Sequence, residues 1–588
     1  MKTTPPPSTE FLPTTPEEVR ARGWDGLDIV LVTGDTYIDS PFMGVAVIGR
    51  VLADAGYRVG IIAQPAVDRV EEIARLGEPA LFWGVTAGSV DSLVANRTAL
   101  GKPRRRDDLT PGGWNDRRPD RAVIVYANLI RRRFKQTRPI VLGGIEASLR
   151  RISHYDAWSD RVRRSVLFDA KADVLVYGMG EKSILEVARA LKQKTDMRCI
   201  RGICTISAQV PPPCDNFPGP DILLPAHARV AADPDAFADM FGAFYGQTDP
   251  CSARRLIQQQ DTRYLVHNPP AFPLTTAELD RVYELPYTYD VHPFYAGRGT
   301  VKALETTQFA LTTHRGCYGE CRFCAIAVHQ GRQVVSRTQA SLLREAERFT
   351  RHAGFKGIIA DVGGPTANMY GFECRRKTAK GACVEKSCLF PRTCDQLPVN
   401  HRPQLELLQA LRRMPGVRKA FVRSGLRHDL VLADRRYGRQ YLQTLLRHHV
   451  SGQLKIAPEH VEAEVLQRMG KPGRESLEAF LDMFHEVNRG LAAKAFLTYY
   501  LLAAHPGCTL DHMRALRKYA LGTLRLLPEQ VQIFTPTPST FATLMYHTRK
   551  DPFTGAGLFV ERNSGRKQAQ KDVILKRRDA RQRNKKGK

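Results

Sequence analysis

The sequence lacks any apolar run long enough to cross a membrane. Its longest uncharged apolar run, residues 495–504, falls well short of the ~18 residues that a spanning helix needs. The chain begins Met1-Lys2 and continues with threonines and prolines, so its start lacks the apolar core of a signal peptide. We therefore predict a cytoplasmic protein that makes no membrane contact.

The composition also lacks the extremes that mark disordered, collagen-like or coiled-coil chains. Hydrophobic residues make up 43% and charged residues 25% of the 588 residues, which is typical of globular proteins. At roughly 100–200 residues per domain, this length accommodates three or four domains. The sequence has no repeat at the periods typical of solenoids, so that architecture is excluded.

Negative charge is scarce, with 60 Asp+Glu against 88 Lys+Arg and a formal net charge of +28. Residues 561–588 hold twelve Lys/Arg and three Asp/Glu, which accounts for nine units of the surplus. Such a tail is typical of a solvated, partly disordered extension. The alternative is contact with RNA, where basic side chains displace the counterions of the phosphates. Because this attraction carries no sequence information, charge alone does not decide between the two.

The first 200 residues alternate short apolar runs with helical patterns. This alternation predicts a doubly wound parallel sheet, in which ligands bind at the carboxyl ends of the strands. We assign residues 1–205 to a Rossmann-like domain with a helix at 45–55. Its predicted strands are 28–32, 58–62, 80–84, 123–126, 140–142 and 174–177.

Prolines interrupt the next segment, so we predict a connector over residues 206–299 with a short helix at 233–244. Alternation then returns over residues 300–545, with helices between six predicted strands. Six strand–helix units predict a partial (β/α)6 barrel whose active-site groups lie at the carboxyl ends of the strands. A basic C-terminal extension, 546–588, follows. The six strands are 306–313, 357–362, 419–423, 453–457, 495–502 and 530–535.

Seven of the twelve cysteines lie between Cys317 and Cys394. The first three, Cys317, Cys321 and Cys324, are spaced C-x3-C-x2-C directly after the first barrel strand. Three thiolates in one loop can hold three irons of a [4Fe–4S] cluster, whose usual fourth ligand is also a cysteine. The missing fourth thiolate would leave one iron open to another ligand. The alternative is a structural zinc site, for which His314 would complete the usual four ligands.

These residues resemble the signature of the radical S-adenosylmethionine (SAM) superfamily, including the aromatic Phe323 just before the last cysteine. The resemblance is closest to the YgiQ family, an uncharacterised bacterial group, and extends from the first strand to about Gly555. The matching stretches within and beyond the barrel are 314–332, 361–371, 454–460, 505–510 and 531–538.

The resemblance implies an enzyme in which SAM binds the open iron of the cluster. One electron, from a donor of the flavodoxin or ferredoxin type, would then cleave SAM to a 5′-deoxyadenosyl radical that abstracts hydrogen from the substrate. Phe323 is expected near the adenine, and the Gly363-Gly364 pair beside the methionine amino group. Pro365 stands where the superfamily often has an acidic residue. For Glu459 and His460, binding of SAM or substrate and a salt-bridged rim remain alternatives.

A second group of cysteines occupies an insertion at 365–403, after the second barrel strand. Ordering a long loop costs ~1–2 kcal/mol per residue, and thiolates around one metal centre would offset that cost. The spacing contains neither CxxC nor CxxH pairs. An auxiliary iron–sulfur cluster, structural zinc and unligated thiols therefore all remain open. The four cysteines are Cys374, Cys383, Cys388 and Cys394.

Residues 141–148 and 172–181 resemble the cobalamin-binding-type domains that precede some radical SAM barrels. The loop after the first strand, 34–41, has no histidine that could ligate cobalt from below. We therefore expect a scaffold that has lost the cofactor or binds substrate, with cobalamin lacking a protein ligand as the alternative.

The leading hypothesis is a radical SAM enzyme that acts on an unidentified substrate. The alternative is a non-catalytic iron–sulfur or zinc protein that binds nucleic acid through its basic tail. A three-cysteine motif without a fourth cysteine favours the enzyme, because an open iron is useful only for chemistry.

Overall fold

The computed structural model describes residues 10–575 of the chain. The predicted tail beyond residue 575, and with it most of the proposed RNA contact, lies outside the described residues. The preceding stretch is not a free extension, because its helix packs against the barrel and buries Ile574. No helix among residues 10–575 is both long and apolar enough to span a membrane.

The N-terminal unit is built on a nine-stranded sheet. Its strands are β1 (Ile29–Thr33), β2 (Val59–Ala63), β3 (Phe82–Thr86), β4 (Ile140–Gly143), β5 (His154–Asp156), β6 (Arg161–Arg163), β7 (Val174–Val176), β8 (Ile203–Ser207), β9 (Ile222–Leu224), β10 (Leu256–Gln260) and β11 (Arg263–His267). Its helices are α1 (Pro16–Ala21), α2 (Gly44–Asp54), α3 (Val70–Ile73), α4 (Ser92–Asn96), α5 (Ala122–Arg133), α6 (Gly144–Leu149), α7 (Val166–Asp169), α8 (Glu181–Gln193), α9 (His227–Ala232), α10 (Pro234–Gly246), α11 (Thr276–Glu284) and α12 (Pro293–Ala296).

The strand order is β2-β1-β3-β4-β7-β8-β11-β10-β9, with β5 and β6 forming a separate hairpin. The first five strands of this order are parallel. Every residue of β1 and β2 is buried, which explains why these strands are continuous apolar runs. The order reverses between β1 and β3, and a doubly wound sheet binds ligands at the carboxyl ends beside such a point.

The predicted strand at 123–126 is wrong, because these residues lie inside helix α5. The buried positions Ala122, Val123, Tyr126, Ala127 and Ile130 recur at helical spacing and form one face. A four-residue apolar run cannot by itself distinguish that face from a strand.

The prediction of a connector without strands over 206–299 is also wrong. Strands β9, β10 and β11 lie within it and extend the sheet beyond β8. The prolines fall between these strands, and residues 261–262 form the tight turn between β10 and β11. Two buried side chains, Gln258 and Gln260, hydrogen-bond each other, and Gln258 also donates to the carbonyl of Pro225. The predicted helix at 233–244 is confirmed as α10.

The second unit contains all six predicted barrel strands, although the second is broken into two short pieces. Its strands are β12 (Ala310–Thr312), β13 (His314–Arg315), β14 (Val335–Ser336), β15 (Ile358–Ile359), β16 (Asp361–Gly363), β17 (Lys419–Ala420), β18 (Gln453–Glu459), β19 (Phe496–Ala503) and β20 (Gln530–Ile533). Its helices are α13 (Leu304–Thr307), α14 (Ile326–Gln330), α15 (Gln339–Arg351), α16 (Arg375–Lys380), α17 (Arg402–Arg413), α18 (His428–Ala433), α19 (Gly438–Thr444), α20 (Ala463–Met469), α21 (Arg474–Arg489), α22 (Leu510–Gly522), α23 (Phe541–Thr548) and α24 (Ser564–Leu575).

The barrel is open, as predicted. Parallel pairing joins β12 to β16, β15 to β17, and β18 to β19 and then β20. The two units share one continuous apolar core. The fold is therefore α/β throughout, with a Rossmann-like sheet followed by a partial barrel.

Candidate functional site

A cavity of about 520 Å³ lies between the two units. One wall is formed where β1, β3 and β4 end, with Thr33 and Thr86 among its lining residues. The opposite wall is formed where β12 and β16 end, with Thr312 and Gly363. Both sheets thus present their carboxyl ends, the usual ligand-binding ends, to the same space.

The three-cysteine loop begins at the edge of this cavity, directly after β13. Gly316 turns the chain with a φ of +86°, and a Cβ there would lie 1.8 Å from the carbonyl oxygen of Gln333. Only glycine fits this close approach. The turn brings the Cys317 N–H to the Gly331 carbonyl at 3.3 Å, which fixes the start of the loop.

The Cys317 and Cys321 sulfurs gather around Gly319. A Cβ at Gly319 would lie 3.3 Å from the Cys317 Sγ and 3.5 Å from the Cys321 Sγ. The Gly319 N–H donates to the Cys317 Sγ at 3.3 Å, and the Thr366 hydroxyl lies 3.5 Å from the same sulfur. Burial raises the pKa of Cys317, and raises that of Cys324 to about 12. Metal binding at these thiols would therefore release protons.

The donor set fits an iron–sulfur cluster. All three side chains are soft sulfur donors in one short loop, with an N–H and a guanidinium directed at them. Within residues 10–575, no group of three or more His, Cys, Asp and Glu side chains is arranged to hold a metal ion. A cluster binds its thiolates through separate irons, whereas zinc needs all its ligands around one point. The metal assignment stays a prediction.

Arg427 is a site residue that the sequence analysis missed. Its Nη1 lies 3.6 Å from the Cys321 Sγ, and two further nitrogens donate to Asp429 at 2.8 and 2.6 Å. Both side chains are buried. A held cation beside the sulfurs stabilises negative charge on them. Their position just after the third predicted barrel strand, at its carboxyl end, was the available signal.

Gly363 and Gly364 both line the cavity, as their predicted position beside SAM requires. A Cβ on Gly364 would meet the His314 ring at 2.7 Å, whereas one on Gly363 would meet Ser424 only at 3.4 Å. Packing against His314 therefore accounts for the second glycine. The amide of Thr313 uses the Gly363 carbonyl at 2.7 Å. Contact of this pair with SAM stays a prediction.

Phe323, Glu459 and His460 are not among the residues that line this cavity. Phe323 packs edge-on to His505, with ring centroids 6.1 Å apart. The Glu459 carboxylate lies 3.8 Å from the Lys471 Nζ, which agrees with the salt-bridge alternative. His460 Nε2 faces the Cys508 Sγ at 3.8 Å. Their contact with SAM or substrate is untested.

Three of the four cysteines in the insertion lie around Tyr318, next to the first cysteine loop. Cys374, Cys388 and Cys394 pack into one small core with Tyr318. Cys383 points elsewhere, and its sulfur accepts from Arg376 Nη1 at 2.8 Å. Whether these thiols bind iron, zinc or nothing is untested. Among the other cysteines, Cys199 and Cys214 form a disulfide, which was not predicted.

An ion pair that the sequence did not suggest joins the two walls. Arg315 Nη1 contacts Glu181 Oε1 at the first residue of α8, and both side chains are largely buried. The second carboxylate oxygen of Glu181 is buried and has no hydrogen-bond partner within the described residues. Both residues line the cavity. This pair fixes the cysteine loop against the N-terminal sheet.

The loop after β1 carries an acidic residue where a cobalt ligand would otherwise be expected. Asp35 lines the cavity and accepts hydrogen bonds from Arg118 Nη2 at 2.6 Å and the Ser89 N–H at 2.6 Å. Arg118 and Asp35 are both fully buried. The loop is therefore held by an internal ion pair.

Comparison with known proteins places the chain in a family. A family model described as Radical SAM N-terminal matches residues 11–310. A UPF0313 protein of Fusobacterium nucleatum is 50% identical over 97% of this chain and 99% of its own length. Another, from Thermotoga maritima, is 47% identical over 96% and 98%.

A structural search found the radical SAM methyltransferase TsrM from Kitasatospora setae, with cobalamin and a [4Fe–4S] cluster bound. It has a TM-score of 0.49 and 16% identity, and covers 88% of this chain and 74% of that one. The match to the family model and the full-length relatives decide the family. The chain belongs to the radical SAM superfamily, within its UPF0313 family.

Proposed function

We propose that this protein is a radical SAM enzyme that cleaves SAM in the cavity between its two units and acts there on an unidentified substrate. The observation that carries the proposal is the convergence of the three-cysteine loop and the Gly363-Gly364 pair at one cavity wall. An exposed structural metal site would have no need of an enclosed chamber beside it.

Each element has a separate part in this proposal. Cys317, Cys321 and Cys324 would hold the [4Fe–4S] cluster, and Gly363 and Gly364 would leave room for the methionine part of SAM. When bound and reduced, the cluster would supply the electron that cleaves SAM to methionine and a 5′-deoxyadenosyl radical. The electron would come from a flavodoxin- or ferredoxin-type donor.

The opposite wall would hold the substrate and exclude water. It is formed mainly by apolar side chains such as Leu31, Ile48 and Ile184. Burial of a reactive species between two walls limits its side reactions with solvent. Because Asp35 is already paired with Arg118 in the loop beneath, we propose that this wall contacts substrate directly and does not ligate cobalamin.

The direct test is anaerobic reconstitution followed by incubation with dithionite and SAM. We expect 5′-deoxyadenosine from the wild-type protein and none from Cys321→Ala. Cys204→Ala removes a buried cysteine of β8, distant from the loop, and serves as the matched control. Absence of product from fully loaded wild-type protein would overturn the proposal and favour a non-catalytic iron–sulfur protein.

We further propose that the cysteines of the insertion hold an auxiliary metal centre. The gathering of Cys374, Cys388 and Cys394 in one core beside Tyr318 supports it. Ten cysteines are free thiols, in keeping with the reducing cytoplasm in which we place the enzyme.

Metal and sulfide analysis of protein purified anaerobically tests the auxiliary centre. We compare the wild type with a Cys383→Ala/Cys388→Ala variant. Loss of iron and sulfide together indicates an auxiliary cluster, whereas loss of zinc indicates a structural site. An unchanged metal content would show that these thiols are unligated.

A further inference from the structure

The connection between β3 and α5, residues 87–121, carries a basic surface that the proposed function does not use. It leaves the carboxyl end of β3, so it begins beside the cavity, where Gly88 and Ser89 line the wall. Further along, Lys102, Arg104, Arg105 and Arg106 are all exposed. The connection is anchored at Arg118, whose guanidinium contacts Asp35 and Asp107.

An exposed aromatic side chain lies in the middle of these cations. The Trp114 side chain is 54% exposed, and the Arg106 guanidinium lies 3.9 Å above its ring. Backbone pairing of Arg106 with Trp114 holds the two together, and the Asn115 N–H donates to the Arg105 carbonyl at 3.2 Å. The stack is therefore built into the local backbone.

Arg298 approaches the same surface from the end of α12. A Cβ on Gly112 would lie 3.5 Å from the Arg298 carbonyl, and the Gly112 N–H donates to the Thr300 carbonyl at 3.0 Å. The Arg298 side chain is exposed. We call the group of Lys102, Arg104, Arg105, Arg106, Trp114 and Arg298 the Arg–Trp surface.

The five cations of the Arg–Trp surface have no acidic partner. Within the part of the chain that the structure describes, none of them forms an ion pair, although 43 such pairs occur elsewhere. The nearby acids are already engaged: Asp107 pairs with Arg118, Asp108 with Lys302, and Asp116 lies beside Arg117. Like charges this close repel one another unless an external anion neutralises them.

Trp114 narrows the class of that anion. A solvated basic face needs no exposed tryptophan, and a large exposed aromatic side chain is costly to leave in water. Nucleobases stack on such rings, and arginine adds a cation–π contribution, while neighbouring cations contact the phosphates. Regularly spaced phosphates with unpaired bases between them are the feature of single-stranded nucleic acid.

We propose that the Arg–Trp surface binds single-stranded nucleic acid and holds it beside the cavity. This goes beyond the proposed function and does not depend on it. The phosphates contact Arg104, Arg105 and Arg298, and a base stacks on Trp114. The surface is separate from the basic tail, which remains intact in every variant below.

Binding is measured on the full-length protein by fluorescence anisotropy with labelled oligouridylate and oligodeoxythymidylate of about 12 nucleotides. We expect Arg105→Glu/Arg106→Glu to weaken binding by at least about tenfold and to flatten the salt dependence by about 0.7 per lost phosphate contact. Comparison of the two oligonucleotides shows whether RNA or DNA is preferred.

Trp114 variants separate stacking from charge. Trp114→Ala is expected to weaken binding by about tenfold, whereas Trp114→Phe keeps most of the affinity. Oligonucleotide should quench tryptophan fluorescence in the wild type, and Trp114→Phe should lose that quenching. Because Trp114 is exposed, neither variant should change the thermal unfolding temperature.

The matched control is Arg132→Glu/Arg133→Glu, which makes the same charge change at the exposed end of α5, near the amino ends of the strands. It should cause a much smaller loss of affinity. An equal loss in this control, or unchanged binding by Trp114→Ala, would overturn the proposal. So would equal binding of heparin without tryptophan quenching, since it would indicate a general polyanion surface. Release of 5′-deoxyadenosine, measured in parallel, tests the proposed function separately.

Discussion

Arg315, two residues before the first cysteine of the loop, forms a buried ion pair with Glu181 at the start of α8. The pair joins the cysteine loop of one unit to the sheet of the other. The Arg315 side chain also lies over the ring of Tyr283, with 5.1 Å from its guanidinium carbon to the ring centroid. The position of the loop thus depends on a residue more than a hundred positions earlier in the chain.

Arg315→Met should leave Glu181 buried without its cation and destabilise the protein by about 3 kcal/mol. The double variant Arg315→Met/Glu181→Met should recover part of that loss, because no unpaired charge remains. Thermal unfolding of the reconstituted protein measures both. Equal unfolding temperatures for wild type and Arg315→Met would show that the pair contributes nothing.

Gly364→Ala should destabilise the protein by about 1–3 kcal/mol, because its Cβ would overlap the His314 ring. The control is Gly363→Ala, whose Cβ would meet only ordinary contacts with Ser424. Urea unfolding measures stability, and equilibrium dialysis measures SAM binding. If SAM packs against this wall, both variants should bind it more weakly, even though only Gly364→Ala is unstable. Equal stability of the two variants would contradict the predicted overlap.

Arg427→Gln should lower the reduction potential of the cluster. Removal of a cation next to the Cys321 sulfur makes addition of an electron less favourable. Arg427→Gln/Asp429→Asn removes both members of the buried pair and controls for the unpaired carboxylate. A potentiometric titration followed by electron paramagnetic resonance gives the midpoint. A potential that does not fall in either variant would show that Arg427 does not act on the cluster.

Asp156 should make stability depend on pH in acid. Burial alone would raise the pKa of Asp156, but hydrogen bonds from Arg121 and Ser159 outweigh burial and lower the pKa to about 2. A pKa below the ordinary value of 3.8 means that the stabilisation is complete above that pH and is lost as the pH falls towards 2.

Asp156→Asn should therefore cost about 2 kcal/mol at pH 7 and almost nothing at pH 2. Chemical denaturation at a series of pH values measures the difference. Asp116→Asn, at an exposed carboxylate, is the control and should have little effect at either pH. A difference from wild type that stays constant with pH would contradict the assignment.

The sequence predicted the elements whose patterns are local and missed those that depend on distant partners. The six barrel strands are short apolar runs separated by long amphipathic helices such as α15 and α21, and all six were placed correctly. Strand β10 was missed because three of its five residues are glutamines. Gln258 is buried only because Pro225 and Ser153, far along the chain, accept or donate its hydrogen bonds.

The site divides in the same way. The cysteine spacing and the glycine pair are contiguous motifs, so their position at the cavity could be expected from strand order alone. Arg427 and Glu181 lie in other elements, and only the folded chain shows that they approach Cys321 and Arg315. Phe323 and His460 were selected by resemblance to a motif, and the structure gives their neighbours without testing a role in SAM binding.

The two walls of the cavity belong to one polypeptide, joined by residues 268–309. Their encounter is therefore intramolecular, and the effective concentration of one wall at the other is set by the length of the joining segment. Assembly of the chamber should not weaken on dilution, in contrast to a site formed between two subunits. The specific rate of SAM cleavage should accordingly be independent of enzyme concentration.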